Sequence, residues 1–323
     1  VYFFTLSSQR ITGFSTSTSI TLVLADSTFH TSRRRYEDIR SRSNNTGLLH
    51  PLLLASSYSK IFDHCLTEVI KNTMSSKIDQ VKSVFAQPEQ YLLRMDFNIQ
   101  VRREIVKGFV GDAVLKSILD IGCGNGAISI PLLRQYNQLT LLDVSSNMLS
   151  IARSRIPTEF SGNVETINED FMKADLPFQS YDLILCLGVL AHVDSPMDVI
   201  AKMVSLVKPN GSVIVENSDS QHPVSYLSNL YLAMRNVFLP NPYPLNQLSG
   251  AKLVEIFGNH GLKLSALYRY SLPVPGMVRV FSNDSMYKFI RKVYGTHTNN
   301  YRSWLGSECI YHFRKPDTAA HNH

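Results

Sequence analysis

The residues of this chain best suited to chemistry lie between positions 120 and 192. Three glycines, Gly122, Gly124 and Gly126, fall within five positions of SILDIGCGNGAISIPLL, with Asp120 just before them and Cys123 among them. Glycine lets a backbone take positive φ and approach a ligand closely. A helix starting there would offer free N–H groups and a positive dipole end to an anion. The stretch therefore predicts a nucleotide-like ligand with an anionic group; a plain structural turn is the other reading. Gly122, Gly124 and Ala127 also satisfy a G-x-G-x-x-A dinucleotide fingerprint. Asp143 closes LTLLDVS, where a carboxylate can accept hydrogen bonds from two ribose hydroxyls. That fits either NAD or S-adenosylmethionine.

Further along, the pair Asp170-Phe171 ends INEDF, with a helix N-cap as the alternative role for the acid. His192, in LAHV, has an ordinary pKa near neutrality and could take a proton from a substrate. Its other reading is a loop histidine that shapes the site or caps the next helix. Glu216 and His222 are second candidates for the same task.

These residues need elements to hold them, and the pattern supplies them. Apolar segments alternate with stretches at helical spacing: SILDIG and AISIPLLRQY, QLTLLDVS and SNMLSIARSRI, NVETINED, then YDLILCLGVL and SPMDVIAKMVSLVK, then PNGSVIVEN. Strand–helix alternation at this spacing predicts right-handed crossovers and a mostly parallel sheet. In such sheets ligands bind beyond the carboxyl ends of the strands, which is where the glycines, Asp143, Asp170 and His192 all fall. Two helical stretches, near 77–86 and 89–110, precede the first strand, and LKLSALYRYS and SECIYHFRKP are late strand candidates.

Composition narrows the class. The chain has 323 residues, 44% hydrophobic, enough for one large core. No apolar run approaches the roughly 18–20 residues that span a bilayer. Four cysteines at scattered positions argue against a disulfide framework or a zinc site, and for a reducing, cytoplasmic setting. The net charge of +6 comes without a dense basic block, so nucleic acid is permitted and not indicated. Residues 1–73 differ from the rest: Ser- and Thr-rich, with few acids at the start. They read as leader sequence ahead of Met74, as an organellar transit peptide, or as a folded extension. Domain boundaries are therefore set at 1–73 and 74–323.

The ordered motifs resemble the class I S-adenosylmethionine-dependent methyltransferases over about 115–217, and within them the small-molecule branch that includes quinone-biosynthesis enzymes. LDIGCGNG, LLDVSSNML, EDF, YDLILCLGVLAHV and MVSLVKPNGSVIVE stand in the family's order. The resemblance implies a doubly wound, seven-stranded α/β sheet with an antiparallel last strand, an N-terminal helical cap and lid insertions at 218–250 and 271–306. It implies S-adenosylmethionine as cofactor and methyl transfer to a small-molecule acceptor, with oligomeric state left open. Gly122 to Gly126 should pass under the methionine portion, with Asp120 organising that loop. Asp143 should bind the ribose, and Val144 and Met148 should flank the adenine, although core packing suits Met148 equally. Asp170 and the Phe171 backbone should meet the adenine edge, and Leu187 and Gly188 should pass near the sulfonium. The Asn/Asp-Pro-Pro-aromatic motif of nucleic-acid amino-methyltransferases is missing, because that position reads Leu187-Gly188-Val189-Leu190. A protein or nucleic-acid methyltransferase and a catalytically silent cofactor-binding module are the alternatives. Tyr226, Leu227, Leu230, Tyr231 and Met234 recur at helical spacing, as in a lid over an apolar substrate or an ordinary core-facing helix, and MYKFIRKVYG reads as a solvated amphipathic helix or one that meets a membrane or lipid-like substrate.

Overall fold

Strands SILDI, QLTLL and YDLILC are apolar almost throughout because both faces of their sheet are covered. In this computed structural model the described residues are 81–82, 88–223, 225, 245–246, 248–271, 281–300 and 302–317. They fall within a single unit, Lys71–His323. Residues 1–73 and the stretch Tyr226 to Met234 lie outside the described residues.

The strands are β1 (Ser117–Ile121), β2 (Gln138–Leu142), β3 (Val164–Ile167), β4 (Tyr181–Cys186), β5 (Val207–Ser218), β6 (Lys263–Tyr270) and β7 (Glu308–Arg314). The helices are α1 (Pro88–Val110), α2 (Ser146–Arg155), α3 (Pro196–Leu206), α4 (Gly250–Asn259) and α5 (Asn283–Tyr294). The strand order is β3-β2-β1-β4-β5-β7-β6. The first five strands pair in parallel, and β7 runs antiparallel to both β5 and β6. This is the doubly wound seven-stranded sheet with an antiparallel last strand. Strand order reverses between β1 and β4, which makes that carboxyl edge the switch point.

Side-chain alternation sorts the core into two halves. Phe97, Val101 and Ile105 of α1, Leu149 of α2, and Met286 and Ile290 of α5 pack on Ile118, Leu185, Ile214 and Tyr270. Val199 and Met203 of α3, with Leu253 and Phe257 of α4, pack on Leu119, Ile184, Val213 and Phe313. Helix starts are set by serines: Ser145, Ser195, Ser249 and Ser282 each accept a backbone N–H with the side chain. The segment MYKFIRKVYG falls in α5, which buries Met286, Ile290 and Tyr294 and ties to α1 by Arg291–Glu104 at 2.6 Å.

One expected element is absent. AISIPLLRQY was expected to be helical, yet it holds only a 3₁₀ turn, Ile130–Leu132. Pro131 has no N–H to continue an α-helix, and it disfavours helical backbone at Ile130. Ser129, which a helix would leave on its flank, instead turns inward. The segment leaves an open cleft of about 400 Å³ against α1, lined by Gln100, Glu104 and Lys107 together with Ile128, Pro131 and Leu132.

Candidate functional site

The glycines after β1 all take positive φ, +64° at Gly122, +54° at Gly124 and +68° at Gly126, but their surroundings differ. A Cβ on Gly122 would strike the Val189 side chain, and one on Gly126 would sit 2.5 Å from Ile130 Cδ1. A Cβ on Gly124 would meet nothing within 4 Å. The outer glycines are thus closely packed, and the middle one borders open space.

The loop is pinned from β2. The N–H groups of Gly122 and Cys123 both donate to the Leu142 carbonyl, at 2.8 and 3.1 Å. Gly124 N–H donates to Asp143 Oδ2 at 2.8 Å, and Ser145 N–H donates to Asp143 Oδ1 at 2.8 Å. Burial pushes the Asp143 carboxyl upward, opposed by the N–H groups of Ser145, Gly124 and Val144. Each of its oxygens keeps a further lone pair for a ligand hydroxyl. Asn168 donates to the Asp143 carbonyl at 2.9 Å and so ties the ends of β2 and β3 together. Asp120, 4% exposed, accepts from Ser129 Oγ at 2.5 Å. Burial raises its carboxyl to about 7; the Ser129 hydrogen bond pulls it back, and Asp143 pushes it further up. Burial and the two acids also push the Cys123 thiol well up, so this sulfur is a packed group and not a nucleophile.

Beyond β3, Asp170 Oδ1 accepts from Met172 N–H at 3.0 Å, the local capping role weighed for it from sequence; its second oxygen has room for another donor. Phe171 is buried, and Lys202 of α3 holds this turn in place. Its ammonium donates to the carbonyls of Phe171 and Ala174, both at 2.7 Å, and lies 5.0 Å from the Phe171 ring centre. Met148 is 2% exposed, which fits core packing, while Val144 stays half-buried at the end of β2.

At the end of β4, Leu187 is buried and Gly188 has φ +74°. A Cβ on Gly188 would lie 3.1 Å from Arg102 Nη2 and 3.4 Å from Nη1, so the guanidinium of α1 sits directly over this glycine. Arg102 grips Glu216 of β5 with two nitrogens: Nε donates to Oε1 at 3.0 Å and Nη2 closes on Oε2. Tyr270 OH donates to the same Oε1 at 2.7 Å. This corrects the reading of Glu216 as a proton acceptor, since its lone pairs face a guanidinium and a phenol. His222 is also diverted: its Nε2 lies 2.8 Å from the Trp304 carbonyl, which requires a proton on that nitrogen. His192 sits half-buried in the turn after β4, with its N–H donating to the Val189 carbonyl at 2.8 Å.

The expected anion site needs a second correction. With no α-helix after the glycines, there is no helix dipole to receive a carboxylate. Sequence reasoning also missed the cation at Gly188. Its signal was there: Asn98 and Arg102 stand four residues apart beside Val101 and Ile105, polar groups on a buried helix face. Among the described residues, no group of three His, Cys, Asp or Glu could hold a metal.

An adenosyl cofactor with an amino-acid end fits this donor set: a carboxylate with spare lone pairs at Asp143, open space over Gly124, and a guanidinium over Gly188. The sheet order is that of a methyltransferase fold seen among solved structures. Residues 118–211 match the family described as "Methyltransferase domain". The mitochondrial ubiquinone biosynthesis O-methyltransferase of Schizosaccharomyces pombe is 33% identical over 124 residues, 38% of this chain and 43% of that protein. The ubiquinone biosynthesis O-methyltransferase of Stutzerimonas stutzeri is 33% identical over 112 residues, 34% of this chain and 47% of that one. The chain thus spans less than half the length of these curated relatives. Among solved structures, the magnesium protoporphyrin IX methyltransferase of Synechocystis, with bound S-adenosylhomocysteine, has a TM-score of 0.53 at 16% identity. The match covers 74% of this chain and all of that one. A possible histamine N-methyltransferase from Thermotoga maritima gives 0.51 at 16% identity, covering 72% and 97%. At these identities the structural likeness speaks for the fold.

Proposed function

We propose that this protein transfers a methyl group from S-adenosylmethionine to a small-molecule acceptor. The observation that carries the reading is the middle glycine: Gly124 is braced by Asp143 and has open space where a side chain would be. When bound, the cofactor supplies a methyl already activated on a sulfonium, so the protein's task is alignment and exclusion of water. Asp143 holds the ribose hydroxyls, with Val144 beside the adenine and Asp170 and Phe171 at its edge. Asp120 and Ser129 stiffen the loop from below. Arg102 offers the methionine carboxylate the positive charge that the missing helix would otherwise give. Leu187 and Gly188 line the path of the methyl. His192, next in chain, takes the acceptor's proton when the attacking atom is a hydroxyl.

The relatives named for O-methylation support a hydroxyl acceptor, which extends what their names say to this chain. An apolar acceptor belongs to the same proposal. Among the described residues no helix is long and apolar enough to cross a membrane. Cys123, Cys186 and Cys309 are free and buried, which supports a reducing compartment, cytoplasmic or organellar.

Calorimetry with the purified protein tests the reading. S-adenosylhomocysteine should bind and NAD should not. Asp143→Ala removes charge-assisted hydrogen bonds of about 1.5–3 kcal/mol each, less what water returns, so affinity should fall at least tenfold. Unchanged affinity would take Asp143 out of the site. Transfer of radiolabelled methyl to a metabolite extract would separate an enzyme from a silent cofactor-binding module.

A further inference from the structure

The residues beneath Arg102 form a connected set drawn from three parts of the chain. Glu216 of β5 is 4% exposed and receives the guanidinium on both oxygens. Tyr270, at the end of β6 and fully buried, donates to Glu216 Oε1 and lies 2.6 Å from Asn98 Oδ1 of α1. The single phenolic proton is shared between these two acceptors, Glu216 Oε1 and Asn98 Oδ1. Burial works against the Arg102 charge, yet Glu216 beside it holds the guanidinium protonated. A guanidinium has five N–H donors in a fixed plane. Nε and part of Nη2 are taken by Glu216. What is left, Nη1 and the rest of Nη2, lies over Gly188.

We infer that Glu216, braced by Tyr270 and Asn98, is a positioning carboxylate: it fixes the plane of Arg102 so that the guanidinium edge over Gly188 meets the amino-acid end of the cofactor. This rests on the cofactor reading above and assigns the residues that make Arg102 effective. An arginine on a long flexible stem loses rotamer freedom when it binds. One hydrogen bond and one ion-pair contact to a buried carboxylate remove that freedom in advance. Other groups around the carboxylate are accounted for: Ser218 Oγ donates to Glu308 on β7, and Glu308, raised by burial and by Glu216 to about 7, adds no cation that could replace Arg102.

The test compares two ligands of one purified protein. S-adenosylhomocysteine carries the amino-acid end, and 5′-methylthioadenosine lacks it. Glu216→Gln should weaken S-adenosylhomocysteine about tenfold or more and leave 5′-methylthioadenosine within about threefold. Arg102→Ala should show the same split. Tyr270→Phe keeps the carboxylate and removes its brace, so a loss of about threefold is expected for S-adenosylhomocysteine alone; it decides the matter if Glu216→Gln does not fold. Equal losses for both ligands would mean general damage to the site and would overturn the positioning role, as would no loss for either. Wild-type protein binding neither ligand would sink the cofactor reading and this inference with it. Wild type binding both with no change in the variants would sink the inference alone.

Discussion

His192 is the residue on which the direction of the chemistry turns. It follows the strand whose carboxyl end lies beside Gly188, and its backbone is held by Val189. Acting as base, it must come within about 2.6–3.2 Å of the acceptor or reach it through one water. His192→Ala should then lower turnover by roughly 10²–10⁴, with S-adenosylhomocysteine affinity within a few-fold. His192→Asn, similar in shape and unable to take a proton at neutral pH, should be nearly as damaged. Full activity of His192→Asn in the radiolabel assay would reduce the residue to shaping the pocket. Asp120 sets a different pH dependence, that of stability. Its folded-state carboxyl titrates near 7, above its ordinary value near 4, so the folded chain keeps a proton that the unfolded chain has released. Stability from this group is complete below about pH 4 and declines as pH rises through about 7. Asp120→Asn keeps an oxygen for Ser129 and loses the buried charge. Its melting temperature should exceed wild type by a few degrees at pH 8 and converge with it near pH 4. Parallel curves across that range would show that Asp120 is ionised at little cost.

At the scale of elements, the turn after β1 separates two kinds of glycine. Gly124→Ala meets no atoms and carries only the strain of positive φ, about 1–2 kcal/mol, so the protein should fold. Its methyl group would enter the open space, and S-adenosylhomocysteine affinity should drop about tenfold or more. Gly122→Ala adds a clash with Val189 to the same strain and should lower the melting temperature well beyond Gly124→Ala. Thermal melts with and without ligand check both, and a Gly124→Ala protein that binds as wild type would mean the ligand does not pass there. This turn also shows where sequence was legible. An apolar run into spaced glycines is a local signal, and so is an acid closing the next strand, because each depends on residues within a few positions. The failure of the helix after them was legible only in part. Ile130, Leu132 and Leu133 satisfy helical spacing and do pack inward, so the apolar pattern is met by a 3₁₀ turn as well as by an α-helix. Pro131 decides between the two, and the periodicity outweighed it. The Arg102 set lay further out of reach. Its partners stand at 98, 216 and 270, and nothing local pairs an arginine on α1 with a glutamate on β5.

For the whole molecule, strand–helix alternation revealed the parallel half of the sheet, while the placement of β7 between β5 and β6 depends on pairing that is not sequential. The resemblance to a known family supplied that topology; periodicity did not. The composition break near Met74 yields a whole-chain expectation. A protein beginning at Met74 should melt within a few degrees of the full chain and bind S-adenosylhomocysteine equally. A large loss of melting temperature would show that 1–73 packs on the remainder.

The wedged strand has a consequence for the order in which the chain can assemble as it leaves the ribosome. Until Glu308–Arg314 has been made, β5 presents an unpaired edge and β6 has no neighbour to join. Both strands stand ready well before the residues that close them, because Ser218 precedes its partner Glu308 by a long stretch of chain. A nascent sheet with an open apolar edge invites pairing with other chains. The last step, pairing of β7 with β5 and recruitment of β6 to its other side, joins distant parts of the sequence and is slow by its topology. Losing β7 would therefore do more than shorten the sheet: it would cast off β6 and, with it, Tyr270. A stalled or clipped chain would keep the Gly-rich turn and lose the brace beneath Arg102.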